Sequence, residues 1–164
     1  MRKIEKTNVM RILDAKKIDY GTYAYPHVED EAVDGISVAE MIGKDPASVF
    51  KTLVAKSGTE HFVFMVPVAD TLDLKKAAAS VFKKSVEMVR VDEINSLTGY
   101  VRGGCSPIGM KSRFPIVIEE KALKQEKIIF SAGKIGFQVE MKPTDLAALI
   151  DAKMAPLIYD NQEK

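Results

Sequence analysis

Two apolar, β-branched runs, Val49-Phe50-Lys51-Thr52-Leu53-Val54-Ala55 and His61 to Val66, are separated by the turn-forming Lys56-Ser57-Gly58-Thr59. That arrangement predicts an antiparallel hairpin at the centre of the chain. The hairpin constrains the fold class, because a sheet that contains it cannot be purely parallel. Around it, strands and helices alternate. Thr7 to Ile18 reads as a helix capped by Thr7, with Val9, Ile12 and Leu13 on one face. Tyr20 to Tyr25 reads as a strand stopped by Pro26, and an acidic loop runs from Glu29 to Gly35. Ser37 and Glu40 have the spacing of a capping box for a helix through Met41 and Ile42. Asp45-Pro46 pairs a cap with a proline at the first helical position. Asp73 opens a helix to Phe82, a strand follows at Val86 to Val89, and Asp92 to Leu97 forms a short helix.

Further strands are expected at Pro115 to Ile118, Ile128 to Ser131 and Phe137 to Met141. Pro143 and Thr144 start a last helix ending at Ile150, and Pro156 to Tyr159 forms an edge strand. The expected fold is α/β in a mixed, α+β-like sense: one domain over residues 1–160 with a curved, barrel-like mixed β-sheet and helices packed outside. Residues 161–164 form a frayed polar tail. With 164 residues and 46% hydrophobic content, the chain can bury one sizeable core, and aliphatic side chains must fill it because aromatics are 7% and tryptophan is absent.

Net charge is +1, so any nucleic-acid partner must meet a local basic patch. The single cysteine excludes an internal disulfide and argues against multi-cysteine zinc patterns. The charged start, Met1 to Lys6, lacks an apolar signal core, and no apolar run reaches the length of a membrane span. A soluble, cytoplasmic protein without membrane contact is expected.

The stretch with most chemical potential is Thr98 to Lys111, which holds Gly99, Gly103, Gly104 and Gly109, one proline, two basic residues and no acid. Dense glycines let a backbone approach a ligand and aim N–H groups at an anion or a carbonyl oxygen. The same composition also suits a connecting loop. Lys51, inside an apolar strand, either sits at an exposed alternate position or projects into a cleft to hold a phosphate. Arg102, Lys111 and Arg113 beside the glycine loop, and Lys75, Lys76, Lys83 and Lys84 around one helix, read as solvated faces or as an RNA footprint. His27 has no second histidine at ligand spacing, so the carboxylates after it read as a solvated loop and no metal is expected. Cys105 and Ser106 are weak candidates for a nucleophile. They lack a Gly-x-Ser-x-Gly elbow, and Pro107 removes the N–H such an elbow would use. Gly133-Lys134-Ile135-Gly136 matches the Gly-x-x-Gly of KH domains but joins two strands, which favours a hairpin turn.

Several of these motifs occur together in one order: Val49-Phe50-Lys51-Thr52-Leu53, Leu72-Asp73-Leu74-Lys75-Lys76, Thr98-Gly99-Tyr100, Gly103-Gly104-Cys105-Ser106-Pro107-Ile108-Gly109 and Ser131-Ala132-Gly133-Lys134. In this the chain resembles the YbaK/EbsC family of trans-editing aminoacyl-tRNA deacylases, related to the editing domain inserted in bacterial prolyl-tRNA synthetases. The resemblance spans roughly Asn8 to Leu157. It implies hydrolysis of the ester joining a wrong amino acid to the 3′ adenosine of a tRNA, without a cofactor. It implies catalytic roles for Lys51, Gly103 and Gly104, with Lys51 at the phosphate or ribose end and the Gly103–Gly109 backbone around the aminoacyl carbonyl. Tyr25, Ser106, Pro107, Gly109, Thr98 and Gly99 would line the substrate site, and Lys75, Lys76, Arg102 and Lys111 would hold tRNA.

The implied partners are the acceptor end of tRNA(Pro) and a prolyl-tRNA synthetase. The implied substrate is cysteine on tRNA(Pro) or on tRNA(Cys), with the substrate's own thiol attacking its carbonyl. Alanine or another small residue is the alternative within the family. A non-catalytic tRNA-end binder and a small-anion-binding protein are the readings outside it. One departure stands out: Gln138 occupies a position where the family often has aspartate.

Overall fold

The computed structural model describes residues 6–28 and 31–160. The expected tail 161–164 and the Glu29-Asp30 part of the acidic loop lie outside the described residues. Helices α1 (Asn8–Ala15), α2 (Gly35–Ile42), α3 (Leu74–Ser80), α4 (Ile94–Thr98) and α5 (Pro143–Ile150) alternate with strands β1 (Gly21–Ala24), β2 (Phe50–Ser57), β3 (Glu60–Pro67), β4 (Glu87–Met88), β5 (Ile116–Glu119), β6 (Ile128–Ser131), β7 (Phe137–Met141) and β8 (Lys153–Ala155). The mixed α/β class is as expected, but the sheet is not a closed barrel. It divides into an antiparallel sheet in the order β1-β7-β6 and a mixed sheet in the order β4-β2-β3-β5-β8.

The β2–β3 hairpin is the longest ladder, running from Phe50 opposite Pro67 to Ser57 opposite Glu60. Parallel pairing enters on its far side, where β5 joins β3 and β8 joins β5. The two sheets meet at one isolated parallel bridge, Val49 to Ile129. Both sheets cover a shared core in which Val9, Met10 and Leu13 of α1, Phe50, Met65, Phe130, Val139 and Leu146 are almost wholly inaccessible. A second cluster on the other face of the mixed sheet packs Ala77 and Ala78 of α3 against Ala55, Phe64 and Val66. Alternation along β2 explains the division, since Phe50 and Val54 serve one side while Leu53 and Ala55 serve the other.

The expected caps at Thr7, Asp45 and Asp73 all accept hydrogen bonds from the backbone N–H groups that their helices leave unsatisfied. Four expectations are corrected. The cap of α2 is Asp34, which accepts from the Ser37 N–H at 3.0 Å and the Ser37 hydroxyl at 2.7 Å, so Ser37 is inside the helix and makes no capping box with Glu40. The last strand is Lys153–Ala155, which completes the parallel edge beside β5, while Pro156 to Tyr159 contributes only the Leu72–Ile158 bridge. Helix α1 ends at Ala15 and α3 at Ser80, short of Ile18 and Phe82.

The segment after β8 is tied down by Glu119. Its side chain, 2% exposed, accepts from the Lys121 N–H at 2.6 Å and the Leu157 N–H at 2.8 Å. Removing the carboxylate would leave two backbone donors unsatisfied, each bond to a charged acceptor contributing about 1.5–3 kcal/mol. Glu119→Ala is expected to lower the urea midpoint with an unchanged slope, a loss of roughly 3 kcal/mol in equilibrium unfolding.

Candidate active site

The outer edge of β2 is shared by two partners that do not meet. At its start the Val49–Ile129 bridge attaches β6. At its end Ala55 and Lys56 pair with Met88 and Glu87, and the Val89 N–H reaches the Val54 carbonyl at 3.2 Å. Because main-chain polar groups alternate in direction along a strand, those of Thr52 face the same open edge as those of Val54. A cleft of about 170 Å³ opens in this gap. Its walls are Phe50, Lys51, Thr52 and Leu53 of β2, Tyr25, Val33, Gly35 and Val38, Gly103 and Cys105 of the glycine loop, and Ser131 and Gln138 from the second sheet.

Lys51 is the one cation among the described residues of this lining. Burial pushes its ammonium below the ordinary value of 10.5, and the nearby Asp70 carboxylate works in the opposite direction. Beside it the Thr52 hydroxyl is buried without a hydrogen-bond partner among the described residues, a costly state that a bound ligand would relieve. The Gln138 side chain is 5% exposed and makes no hydrogen bond to another described residue. Tyr25 is also buried, and its phenol is pushed above 10 by that burial. The site thus joins one desolvated positive charge to polar groups that lack partners, inside a largely apolar wall.

The glycine loop is braced from within. The Thr98 hydroxyl donates to the Ile94 carbonyl and accepts from the Tyr100 N–H, while the Lys111 N–H closes back on the Thr98 carbonyl at 2.9 Å. The Tyr100 hydroxyl donates to the Ile108 carbonyl. Gly103 lies at φ +83, a conformation that side chains rarely adopt, and a Cβ there would come within 2.8 Å of Ala32. Gly104 lets the loop rest on the hairpin turn, since a Cβ at that position would stand 3.1 Å from the Ile135 nitrogen. The Gly104 N–H donates to the Val101 carbonyl at 2.9 Å and is engaged within the loop. Gly103 and Cys105 line the cleft, and their N–H groups donate to no other described residue.

Of the residues singled out in the sequence, the structure brings Tyr25, Lys51 and Gly103 together at the cleft. The others lie elsewhere. Thr98 is buried beneath the loop and Gly99 is the left-handed cap of α4. Pro107 and Gly109 line a different cavity on the far side of the loop. Ser106 is wholly inaccessible, its hydroxyl accepting from the Ile108 N–H at 3.3 Å. Cys105 is part of the cleft lining, but its thiol hydrogen-bonds Thr98 and packs with Val54, Val63 and Ile116, and burial pushes it up to about 11, so it stays protonated and poorly nucleophilic at neutral pH.

Among the basic residues, Lys76 is occupied by the Ile158 carbonyl at 2.7 Å and by Asp160, and Lys83 by Glu60 at 2.7 Å. Lys75, Arg102 and Lys111 are exposed. Gly133 to Gly136 forms the β6–β7 hairpin turn, in which the Ala132 N–H meets the Phe137 carbonyl. Thr52 is a site residue that sequence reasoning misses. Its one sequence signal is adjacency to Lys51, because threonine is an ordinary strand residue.

Comparison with known proteins places this arrangement. Residues 30–149 match the family described as "Aminoacyl-tRNA editing domain". Over 154 residues the chain is 40% identical to an Enterococcus faecalis protein named "Putative Cys-tRNA(Pro)/Cys-tRNA(Cys) deacylase EbsC", with 93% of each chain covered. Among solved structures, one described as "Crystal structure of a putative trans-editing enzyme for prolyl tRNA synthetase" superposes with a TM-score of 0.78 at 22% identity, covering 93% of this chain and 97% of the other. A second, described as hypothetical protein APE2540, gives 0.81 at 19% identity over 92% and 99% of the two chains. At those identities the two structures establish the fold, and the sequence matches establish the lineage. The chain belongs to the aminoacyl-tRNA editing domain family.

Proposed function

We propose that this protein is a trans-editing deacylase that cleaves the ester of a mischarged aminoacyl-tRNA, acting on cysteine carried by tRNA(Pro) or tRNA(Cys). The observation that carries the reading is the open edge of β2. There Lys51, Gly103, Cys105 and Thr52, whose hydroxyl has no partner among the described residues, line one small cleft. A volume of about 170 Å³ suits a small aminoacyl group, well below the roughly 300–1,000 Å³ of sites that enclose drug-sized ligands.

In this reading Lys51 holds the terminal phosphate or ribose end of the tRNA, and Thr52 hydrogen-bonds the ribose or the ester. The Gly103 and Cys105 N–H groups take up charge on the carbonyl oxygen as the tetrahedral intermediate forms, replacing Gly104, whose N–H is already engaged. The reactive group comes from the substrate. The cysteine thiol gives up its proton as its sulfur adds to its own carbonyl carbon, the ester C–O bond breaks, the ribose oxygen takes up that proton, and water opens the resulting cysteine thiolactone to free cysteine. Holding sulfur and carbonyl together supplies the proximity that an enzyme nucleophile would otherwise provide. The raised Cys105 thiol and the enclosed Ser106 hydroxyl are consistent with this division of labour.

Lys75, Arg102 and Lys111 are exposed cations available to the tRNA body, whereas Lys76 would have to leave its present partners. A synthetase that delivers tRNA(Pro) and a cytoplasmic setting complete the proposal. No helix among the described residues is long and apolar enough to cross a membrane.

Incubation with Cys-, Ser-, Ala- and Pro-tRNA(Pro), following release of the amino acid, tests the proposal. Release of cysteine but not serine is expected, because the two differ mainly in the attacking atom. Comparable release of alanine would replace thiol assistance with a water-based reaction, and no release from any of them would end the deacylase reading. Lys51→Met is expected to reduce deacylation about 100-fold, comparable to losing one transition-state donor.

The same variant separates function from folding. Because burial lowers the Lys51 pKa, the folded chain holds this proton less tightly than the unfolded chain. The charged side chain therefore disfavours the fold below the lowered pKa, and the penalty fades as pH rises from that value to 10.5. Thermal unfolding at neutral pH should show Lys51→Met at least as stable as the parent, with the difference shrinking toward pH 10.5.

A further inference from the structure

Another cavity lies away from the cleft. It measures about 520 Å³ and runs beside β5 and β8, between Phe82, Phe114 and Lys153. A second cavity of about 340 Å³ adjoins it, sharing Arg113, Phe114, Ile116 and Ile150, and reaches Pro107 and Gly109 on the back of the glycine loop. Together they form one groove that ends on Pro107 and Gly109 of the loop whose Gly103 and Cys105 line the cleft.

Phe82 at its rim is unusual in two ways. Its side chain is 89% exposed and so adds almost nothing to the core. Its backbone sits at φ +59, where glycine or asparagine would be unstrained and a bulky aromatic residue is an outlier. Asp151, across the groove at φ +53, is another of the three described non-glycine residues in this region. Such strain concentrates where a surface does work on a ligand.

Charge selects among occupants. Arg113 and Lys153 line the groove without a carboxylate partner among the described residues, and Asp151 is the one acid in the described lining. The Lys153 ammonium stands 4.6 Å from the centre of the Phe82 ring, against one face, which leaves the other face for stacking. An aromatic platform flanked by such cations is the chemistry that binds single-stranded nucleic acid: the base stacks and the phosphates pair.

We propose that this groove binds a single-stranded segment of RNA, with a base stacked on Phe82 and neighbouring phosphates held by Arg113 and Lys153. The proposal extends the deacylase reading by giving the tRNA substrate a second point of attachment behind the glycine loop.

The test is fluorescence anisotropy with a short labelled single-stranded RNA and with uncharged tRNA, titrated at several salt concentrations. The variants are Phe82→Gly and the double variant Arg113→Glu/Lys153→Glu. Each is expected to weaken binding about tenfold, within the range for one base–aromatic stack. The double variant should also flatten the salt dependence by about 0.7 for each phosphate that is no longer paired. Phe82→Gly relieves the backbone strain, so its melting temperature should equal or exceed the parent's, and weaker binding by that variant cannot be attributed to unfolding.

Unchanged RNA affinity in both variants would overturn the proposal, as would variants that alter only self-association in size-exclusion chromatography. The RNA is uncharged, so binding is read independently of deacylation. Parent protein that binds RNA through the groove yet releases no amino acid would end the deacylase reading and leave this one standing. If both hold, the groove variants should raise KM for Cys-tRNA with little change in kcat.

Discussion

The structure depends on a strand edge that is left incomplete. β2 is fully paired along β3, but its other edge is held by β6 only at Val49 and by the short β4 only from Val54 onward. Unpaired main-chain groups in a sheet must find partners or face solvent, and natural proteins cover most such edges. Here the edge is not closed into a barrel, and α2 stands across the gap with Gly35 and Val38 in its wall. The edge becomes the wall of a cleft, and the residues in the gap include a desolvated lysine and a threonine hydroxyl without a partner among the described residues. Complete closure of the two sheets would have paired the main-chain groups of that edge and filled the gap in which the cleft lies.

The glycine loop acts on this edge as a rigid counterpart. Its glycines serve close packing as much as ligand approach: Gly103 passes against Ala32, Gly104 against the β6–β7 turn, and Gly109 against Tyr100 and α1. Tyr100 fastens the loop to itself through the Ile108 carbonyl and the Thr98 hydroxyl, and burial pushes its phenol up to about 12. A loop fixed in this way has little left to order on binding, and the proposed oxyanion role of its Gly103 and Cys105 N–H groups draws on that. It also explains why one loop can border two depressions, the cleft on the Gly103–Cys105 side and the groove on the Pro107–Gly109 side.

Much of the local structure is legible along the chain. The β2–β3 hairpin, the caps at Thr7, Asp45 and Asp73, and the turn at Gly133–Gly136 each depend on residues a few positions apart, and short-range chemistry settles them. The cap of α2 is misplaced within the same range, because Asp34 and Ser37 are both good capping residues and the chain's entry into the helix decides between them. The last strand is displaced by a few residues because a short parallel edge has no turn signal, only the partner β5 supplied by the fold.

For the site, the sequence by itself determined the chemical candidates: a lysine in an apolar strand, a glycine-rich loop with few side-chain nucleophiles, and a tyrosine after the first strand. The motifs in their order also determined the family. Only the tertiary structure decided that the sheet splits in two, that a cleft lined by Phe50 to Leu53 lies at the split, and that Lys51, Thr52, Tyr25, Gly103 and Gln138 meet there. It also decided that Ser106, Pro107 and Gly109 do not reach the cleft and that Gly104 spends its N–H inside the loop. The physical reason is range. Caps and turns are written in neighbouring residues, whereas an unpaired edge is defined by which distant strands fail to reach it.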